Sequence, residues 1–135
     1  GVAVAPAGVP DAGDVFVTNS GSDTVSVIGY NTAHDTFSVV DTITVTAPTG
    51  VAVAPAGVPD AGDVFVTNDV SSGTVSVINP STEQVFDTIT VGSSHGFENE
   101  PQLAVIPAGF TGAGDVYVAN MDSGTVSVLG AGLPQ

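Results

Sequence analysis

The sequence predicts an all-β protein made of β-propeller blades, each of four antiparallel strands, with about three blades present. Two observations carry this prediction. A block of nineteen residues, 1–19, returns unchanged at 50–68, and a divergent copy begins near Leu103. Within each copy, short Val-rich segments alternate with turns rich in Gly, Pro, Asp and Asn, and no segment has a helical period. Four short strands that recur about every fifty residues are the pattern of a propeller blade.

Each predicted strand follows from local patterning. The first is apolar on both faces, which is typical of a fully buried strand; it covers residues 1–5, 50–54 and 103–106. After a Pro/Gly/Asp loop comes the second strand, at 14–19, 63–68 and 115–120. The third alternates strictly between Val and Ser or Thr, the period of a half-buried strand, at 24–28, 74–78 and 125–129. A fourth strand is predicted at 41–45 and 87–91.

These units divide the chain into residues 1–49 as blade 1, 50–102 as blade 2 with a long linker, and 103–135 as blade 3, which lacks its fourth strand. Closed propellers have about four to eight blades. We therefore expect the ring to be completed by other blades of a longer chain or by copies of the same chain. Two copies would supply six blades. The exposed strand edges would otherwise favour aggregation.

The charge composition excludes several partners. The chain has 14 acidic residues, no Lys or Arg, and a formal net charge of −14. Nucleic acid is excluded as a partner because nothing neutralises its phosphates, and an anionic membrane surface is excluded for the same reason. No apolar run approaches the roughly 18 residues of a membrane span, and the absence of Cys excludes disulfides. Cations, proteins and glycans remain as partner classes.

A short motif recurs in the second strand. It reads Phe-Val-Thr-Asn at 16–19 and 65–68 and Tyr-Val-Ala-Asn at 117–120, and each copy precedes Thr-Val-Ser-Val-Ile/Leu. This pattern resembles the YVTN β-propeller repeat family over nearly the whole chain. The loop at 5–13 is longer than the Ser-Pro-Asp-Gly turn usual in that family. Since YVTN-repeat proteins are often secreted or surface proteins, the resemblance implies a non-enzymatic extracellular or cell-surface scaffold for protein binding, adhesion or assembly.

Two alternatives stay open. One is a propeller enzyme of the lyase or lactonase type with a metal-assisted site at the channel mouth. The linker before the third unit carries His95, Glu98 and Glu100, side chains that can hold a divalent ion or share protons; a solvated acidic insertion is the simpler interpretation. Gly92–Gly96 fits G-x-S-x-G but lacks the following helix and a later His, so we do not expect a nucleophile. The other alternative is a self-assembling ring or filament subunit.

Repeated polar residues form the last group of candidates. Oxygen-rich Asp/Gly loops can bind calcium, but an Asp before a strand more often caps a turn, and we favour the turn role. The aspartates concerned are Asp11, Asp14, Asp60, Asp63 and Asp115. We expect Asn19, Asn68 and Asn120 to fix the turn after the second strand by side-chain bonds to the backbone. His34 is expected in an exposed loop, and the aromatic residues 16, 65 and 117 are expected to pack between blades.

Overall fold

A computed structural model describes residues 1–92 and 103–134, and all the secondary structure in these ranges is β. Three antiparallel sheets follow one another along the chain, with four, four and three strands. The predicted all-β, propeller-like fold is confirmed. In the described ranges, no helix is long and apolar enough to cross a membrane.

Strand order in each sheet follows the chain, so every connection within a sheet is a hairpin. The first sheet contains β1 (Val2–Val4), β2 (Val15–Asn19), β3 (Thr24–Asn31) and β4 (Thr36–Thr44). The second contains β5 (Pro48–Val53), β6 (Val64–Asn68), β7 (Thr74–Asn79) and β8 (Gln84–Thr90). The third contains β9 (Leu103–Val105), β10 (Val116–Asn120) and β11 (Thr125–Leu129).

The loop between the first two strands of each unit is held by its own backbone. In the first unit, Ala5 N–H donates to Asp14 O at 2.8 Å and Gly13 N–H donates to Ala5 O at 2.9 Å. The second unit repeats these bonds at 2.9 and 3.0 Å. The glycine of this loop has a φ of 94°, 92° and 92° in the three units, a conformation that side chains with a Cβ rarely adopt. The long loop is therefore an ordered part of each unit.

The hairpin of β3 and β4 is longer than the sequence predicts. The predicted strands at 24–28 and 41–45 leave a connection between them, but β3 continues to Asn31 and β4 begins at Thr36. Cross-strand pairing explains the extension, since Tyr30 lies opposite Phe37 with ring centroids 5.1 Å apart in an edge-to-face contact. The Tyr30 hydroxyl also donates to the Asp35 carboxylate across the turn. Such pairs stabilise a hairpin against the turn preference of Gly and Asn.

Both complete sheets carry a bulge in the outer pair of strands. The register shifts after Val27 in the first sheet and after Val77 in the second. One residue of each outer strand, Val40 in β4 and Phe86 in β8, is left without a partner. A bulge increases the local twist, and it recurs at equivalent positions of the two outer hairpins.

The core lies between the sheets rather than within any one of them. Phe16 of the first sheet lies in a buried cluster with Val64 and Val66 of the second. Phe65 of the second lies in another cluster with Val116 of the third. Both phenylalanines pack between sheets, as predicted from the sequence. Tyr117, at the same position in the third unit, is exposed, because no described sheet covers that side.

Candidate functional site

The three repeated asparagines hold the strand that follows their turn. Asn19, Asn68 and Asn120 each donate from Nδ2 to the Ser hydroxyl of the next strand at 2.9 Å. Their main partner is thus a hydroxyl, whereas the sequence predicted backbone partners. Among the described residues, Asn68 adds two backbone bonds that the other two lack, donating to Thr46 O at 3.0 Å and accepting from Ser76 N–H at 3.1 Å. Thr46 belongs to the preceding linker, so Asn68 also ties two units together.

Asp60 joins the second and third units. Its side chain is buried, and its carboxylate accepts Gly132 N–H at 2.7 Å and Leu133 N–H at 3.1 Å. Both carboxylate oxygens are therefore used by backbone donors from the next unit. A charge-assisted bond of this kind is stronger than a neutral one. The geometry gives Asp60 a structural role at the junction.

Asp11 occupies the same loop position in the first unit but lacks this arrangement. The corresponding donors in the second unit, Ser81 N–H and Thr82 N–H, are used by Asn79 Oδ1 at 2.9 and 3.3 Å. The third unit has Gly130 in place of Asn79. The N–H groups of Gly132 and Leu133 are therefore available to Asp60. Asp11 Oδ2 is buried without a hydrogen bond among the described residues. Burial, and then the nearby Asp14 charge, raise the pKa of Asp11.

The remaining repeated aspartates open the second strand of each unit. Burial raises the pKa of Asp14, Asp63 is buried, and Asp115 accepts Ala131 N–H at 3.0 Å. Within residues 1–92 and 103–134, no three His, Asp or Glu side chains form a group that could hold a metal ion. Calcium binding by the five aspartates stays a prediction.

A pair of carboxyl groups meets at the first junction, and the sequence did not suggest it. The Glu83 side chain, in the turn before β8, shares a hydrogen bond with Asp41 of β4. That bond, followed by burial and by the charges of Asp41, Asp11 and Asp14, raises the pKa of Glu83 to about 7. The same bond lowers the pKa of Asp41. Glu83 therefore carries the proton of the shared hydrogen bond, and it loses this proton as the pH rises through about 7.

The linker residues His95, Glu98 and Glu100 lie outside the described residues, as does most of the G-x-S-x-G segment. The metal and proton-transfer hypotheses for that linker stay predictions. His34 is exposed in the turn between β3 and β4, where its backbone N–H donates to Asn31 O at 3.3 Å.

Four large exposed apolar side chains lie on the outer hairpin of the first sheet. We call this cluster the outer patch; it consists of Tyr30, Phe37, Val39 and Val40, and Phe37 is 59% exposed. Tyr30 and Phe37 form an edge-to-face pair, and the Tyr30 hydroxyl donates to the acidic side chain of Asp35. Contiguous exposed apolar surface with a polar rim is typical of protein-interaction sites. Local sequence pattern does not predict this patch, because the predicted strands at 24–28 and 41–45 leave the patch residues in a connection.

Together, three consecutive sheets packed face to face with hairpin connections define a propeller-like repeat fold. No protein-family model matches the chain, and no curated protein sequence matches it. A functionally unknown protein from Desulfotomaculum acetoxidans DSM 771 has a similar fold, with a TM-score of 0.55 and 20% identity over 97% of this chain and 41% of that one. Hydrazine synthase of Kuenenia stuttgartiensis matches with a TM-score of 0.31 and 15% identity over 96% of this chain and 53% of that one. The chain thus spans less than half of the first protein and about half of the second, and only the first match supports a shared fold.

Proposed function

We propose that this chain belongs to a non-enzymatic β-propeller scaffold of the YVTN-repeat type, at the cell surface or outside the cell, and that it binds a protein. The outer patch carries the proposal. It places two aromatic rings and two valines on the outer pair of strands of the first sheet, where no described sheet covers them. Aromatic side chains are enriched at protein interfaces because they bring large contact area with few rotatable bonds.

The charge of the chain restricts the partner. With a formal net charge of −14 and no Lys or Arg, the rim of the patch can offer only acidic and neutral groups. Complementary potentials favour association and raise its rate. The expected partner is therefore a protein with an apolar groove and a basic rim, and its binding should weaken as salt is added.

A photo-cross-linking side chain in place of Phe37 tests the proposal. On extracts of the cell surface of the source organism, this position should capture a protein partner. Excess unlabelled wild-type chain should compete, whereas excess Phe37→Ser chain should not. The same cross-linker at Gln84, an exposed position of the second sheet's outer hairpin, serves as the matched control. Equal capture at both positions, or competition by Phe37→Ser, would contradict the proposal.

Localisation needs its own test. An antibody against the chain should label intact, unpermeabilised cells or detect the protein in the medium. Labelling that appears only after permeabilisation would contradict the cell-surface part of the proposal. The binding role of the outer patch does not depend on this result and is tested by the cross-linking experiment.

A further inference from the structure

The first and second sheets leave an open groove between them, beside the linker that joins β4 to β5. The groove has a volume of about 350 Å³. The first unit lines it with residues 44–46, at the end of β4 and the start of the linker, and the second unit supplies the rest of the lining. Both sheets have all four strands within residues 1–92. The groove therefore lies inside the described part of the chain, between two neighbouring units.

The groove begins where the apolar contact between the two sheets ends. Val66 of β6 is buried in the cluster that joins the sheets. Ser76 lies directly opposite Val66, and Thr88 lies directly opposite Ser76, so all three side chains are on the same face of the second sheet. Ser76 and Thr88 line the groove, and Thr88 is exposed. Hydroxyl groups thus replace valine on this face towards the outer strand.

Thr74, which also lines the groove, differs from its counterparts in the other two units. The hydroxyls of Thr24 and Thr125 each accept a bond from the repeated asparagine, at 3.3 and 3.1 Å, and each bond to a serine of the preceding turn, at 2.9 and 2.8 Å. Asn68 instead donates to Thr46 O at 3.0 Å. The Thr74 hydroxyl forms neither of these bonds within the described residues, so it is available to a ligand.

The turn before Thr74 also departs from the repeat. It covers residues 69–73, one residue more than the equivalent turns at 20–23 and 121–124. This longer turn places Val70 in the lining of the groove, and Gly73 N–H closes it by donating to Val70 O at 2.8 Å. The second unit therefore differs from the others in two ways at one place: it has a free hydroxyl and an additional apolar side chain, and both line the groove.

The lining fits a neutral ligand that carries hydroxyl groups. Every residue that lines the groove is uncharged, although the chain has 14 acidic residues, so no carboxylate is present there to hold a cation. The chain has no Lys or Arg to hold an anion. Thr and Ser hydroxyls both donate and accept hydrogen bonds, as sugar hydroxyls do. The volume lies at the lower end of the roughly 300–1,000 Å³ of small-molecule sites.

We propose that the groove between the first two sheets is a binding site for a neutral saccharide. Its sugar hydroxyls bond to the hydroxyls of Thr46, Thr74 and Thr88, and the apolar face of a sugar ring lies on Val70 and Val85, both of which line the groove. The groove shares no residue with the outer patch. Saccharide binding is therefore a second binding function, independent of the proposed protein partner.

The second junction is not expected to form the same site. Gly92 stands at the linker position that Thr46 occupies at the first junction, and it lies close against Asn120. The hydroxyl of Thr125 is already bonded to Asn120 and Ser123. The chain thus contains its own internal comparison, with one junction that offers free hydroxyls and one that does not.

Nuclear magnetic resonance of the ¹⁵N-labelled chain tests the proposal. The probes are the methyl glycosides of glucose, galactose, mannose and N-acetylglucosamine, at up to about 20 mM, which is enough to saturate a site with a millimolar dissociation constant. At least one should cause saturable shifts of the amide signals of Thr46, Thr74 and Thr88, without comparable shifts at Thr125. Glycerol and methyl glucuronide at the same concentrations should cause no saturable shifts, since the first lacks a ring and the second is an anion.

Variants that remove one hydroxyl each make the test specific. Thr74→Val and Thr88→Val keep the shape of the side chain, and each should weaken binding roughly fivefold or more. Thr42→Val is the matched control: Thr42 holds the position of Thr88 in the block Asp-Thr-Ile-Thr-Val, which occurs at 41–45 and 87–91, but it lies outside the groove. Its affinity should equal that of the wild-type chain.

Three results would each overturn the proposal. The first is the absence of saturable shifts with all four glycosides. The second is an equal response to glycerol, which would show unspecific contact with a polyol. The third is a loss of affinity in Thr42→Val as large as in Thr88→Val. Cross-linking through position 37 should be unchanged in Thr88→Val, so failure of the saccharide site and failure of the proposed function can be told apart.

Discussion

Asn68 and Asn19 are the same residue in identical repeats, but their environments differ. Asn68 is buried and bonds to Ser76 Oγ, Ser76 N–H and Thr46 O. Replacing it by Ala leaves these groups without partners, and each unsatisfied buried group costs about 1–3 kcal/mol. We expect Asn68→Ala to lower the free energy of unfolding by roughly 2–4 kcal/mol, measured by urea denaturation.

Asn19→Ala is the matched control for this prediction. Asn19 is only half-buried and bonds to the hydroxyls of Thr24 and Ser26, which water can reach. Its loss should cost about 1 kcal/mol or less. An equal loss of unfolding free energy in the two variants would show that the bond between Asn68 and Thr46 of the preceding linker contributes nothing to stability.

Gly92 lies so close to the third unit that it has no room for a side chain. A Cβ at this position would lie 2.6 Å from both Cγ and Nδ2 of Asn120, which is itself buried. Inserting a methyl group into such a site costs about 1–3 kcal/mol, so Gly92→Ala should lower the denaturation midpoint. Gly21→Ala is the control, since nothing lies within 4 Å of its Cβ position, and it should change stability by less than about 0.5 kcal/mol. A neutral Gly92→Ala would mean that the linker moves aside without cost.

The second strand of each unit was predicted closely, whereas the outer hairpin was not. The segment 14–19 was predicted as a strand and β2 spans Val15–Asn19, because its alternation and its flanking turn residues are local signals. The strand predicted at 24–28 extends to Asn31, because pairing with β4 overrides the local preference of Gly29 and Asn31 for turns. The outer patch depends on that pairing and therefore could not be predicted from local pattern.

The contact between the β7–β8 turn and β4 makes stability depend on pH. In the folded chain the pKa of Glu83 is raised from 4.5 to about 7, so the folded state binds more protons than the unfolded state between these values. Stability from this group is present below about pH 4.5 and is lost as the pH rises to 7. We expect the free energy of unfolding to fall across this window, and Glu83→Gln, which keeps a donor for Asp41, to flatten the fall.

The other described carboxyl groups with shifted pKa values, Asp11, Asp14 and Asp41, do not reverse this sign within the window. Burial raises the pKa values of Asp11 and Asp14, which acts in the same direction, starting near pH 3.8. The lowered pKa of Asp41 acts in the opposite direction but below pH 3.8. An unchanged pH slope in Glu83→Gln would show that Glu83 is not the group responsible.

For the molecule as a whole, repetition made the architecture predictable but not the contacts between repeats. The recurrence of nineteen residues was enough to predict three similar sheets. The Asp60 carboxylate, however, accepts hydrogen bonds from backbone N–H groups 72 and 73 residues away. Because nearly every residue has a backbone N–H, the sequence does not show which of them will be the donors. Asp11 shows the limit most clearly: it belongs to the same repeated block as Asp60, and its different environment arises from Asn79 in the neighbouring unit.

Because all the formal charges of Asp and Glu are negative and no Lys or Arg balances them, the stability of the whole molecule should increase with salt. With 14 acidic residues and no Lys or Arg, folding brings like charges together, and this repulsion is screened over about 10 Å at 0.1 M salt and about 3 Å at 1 M. We expect the urea midpoint to rise with sodium chloride over this range. Asp122→Lys, at an exposed turn position, changes the net charge from −14 to −12 and should weaken the rise. Because direct screening does not depend on protein concentration, a salt effect seen only in concentrated samples would instead reflect association between copies.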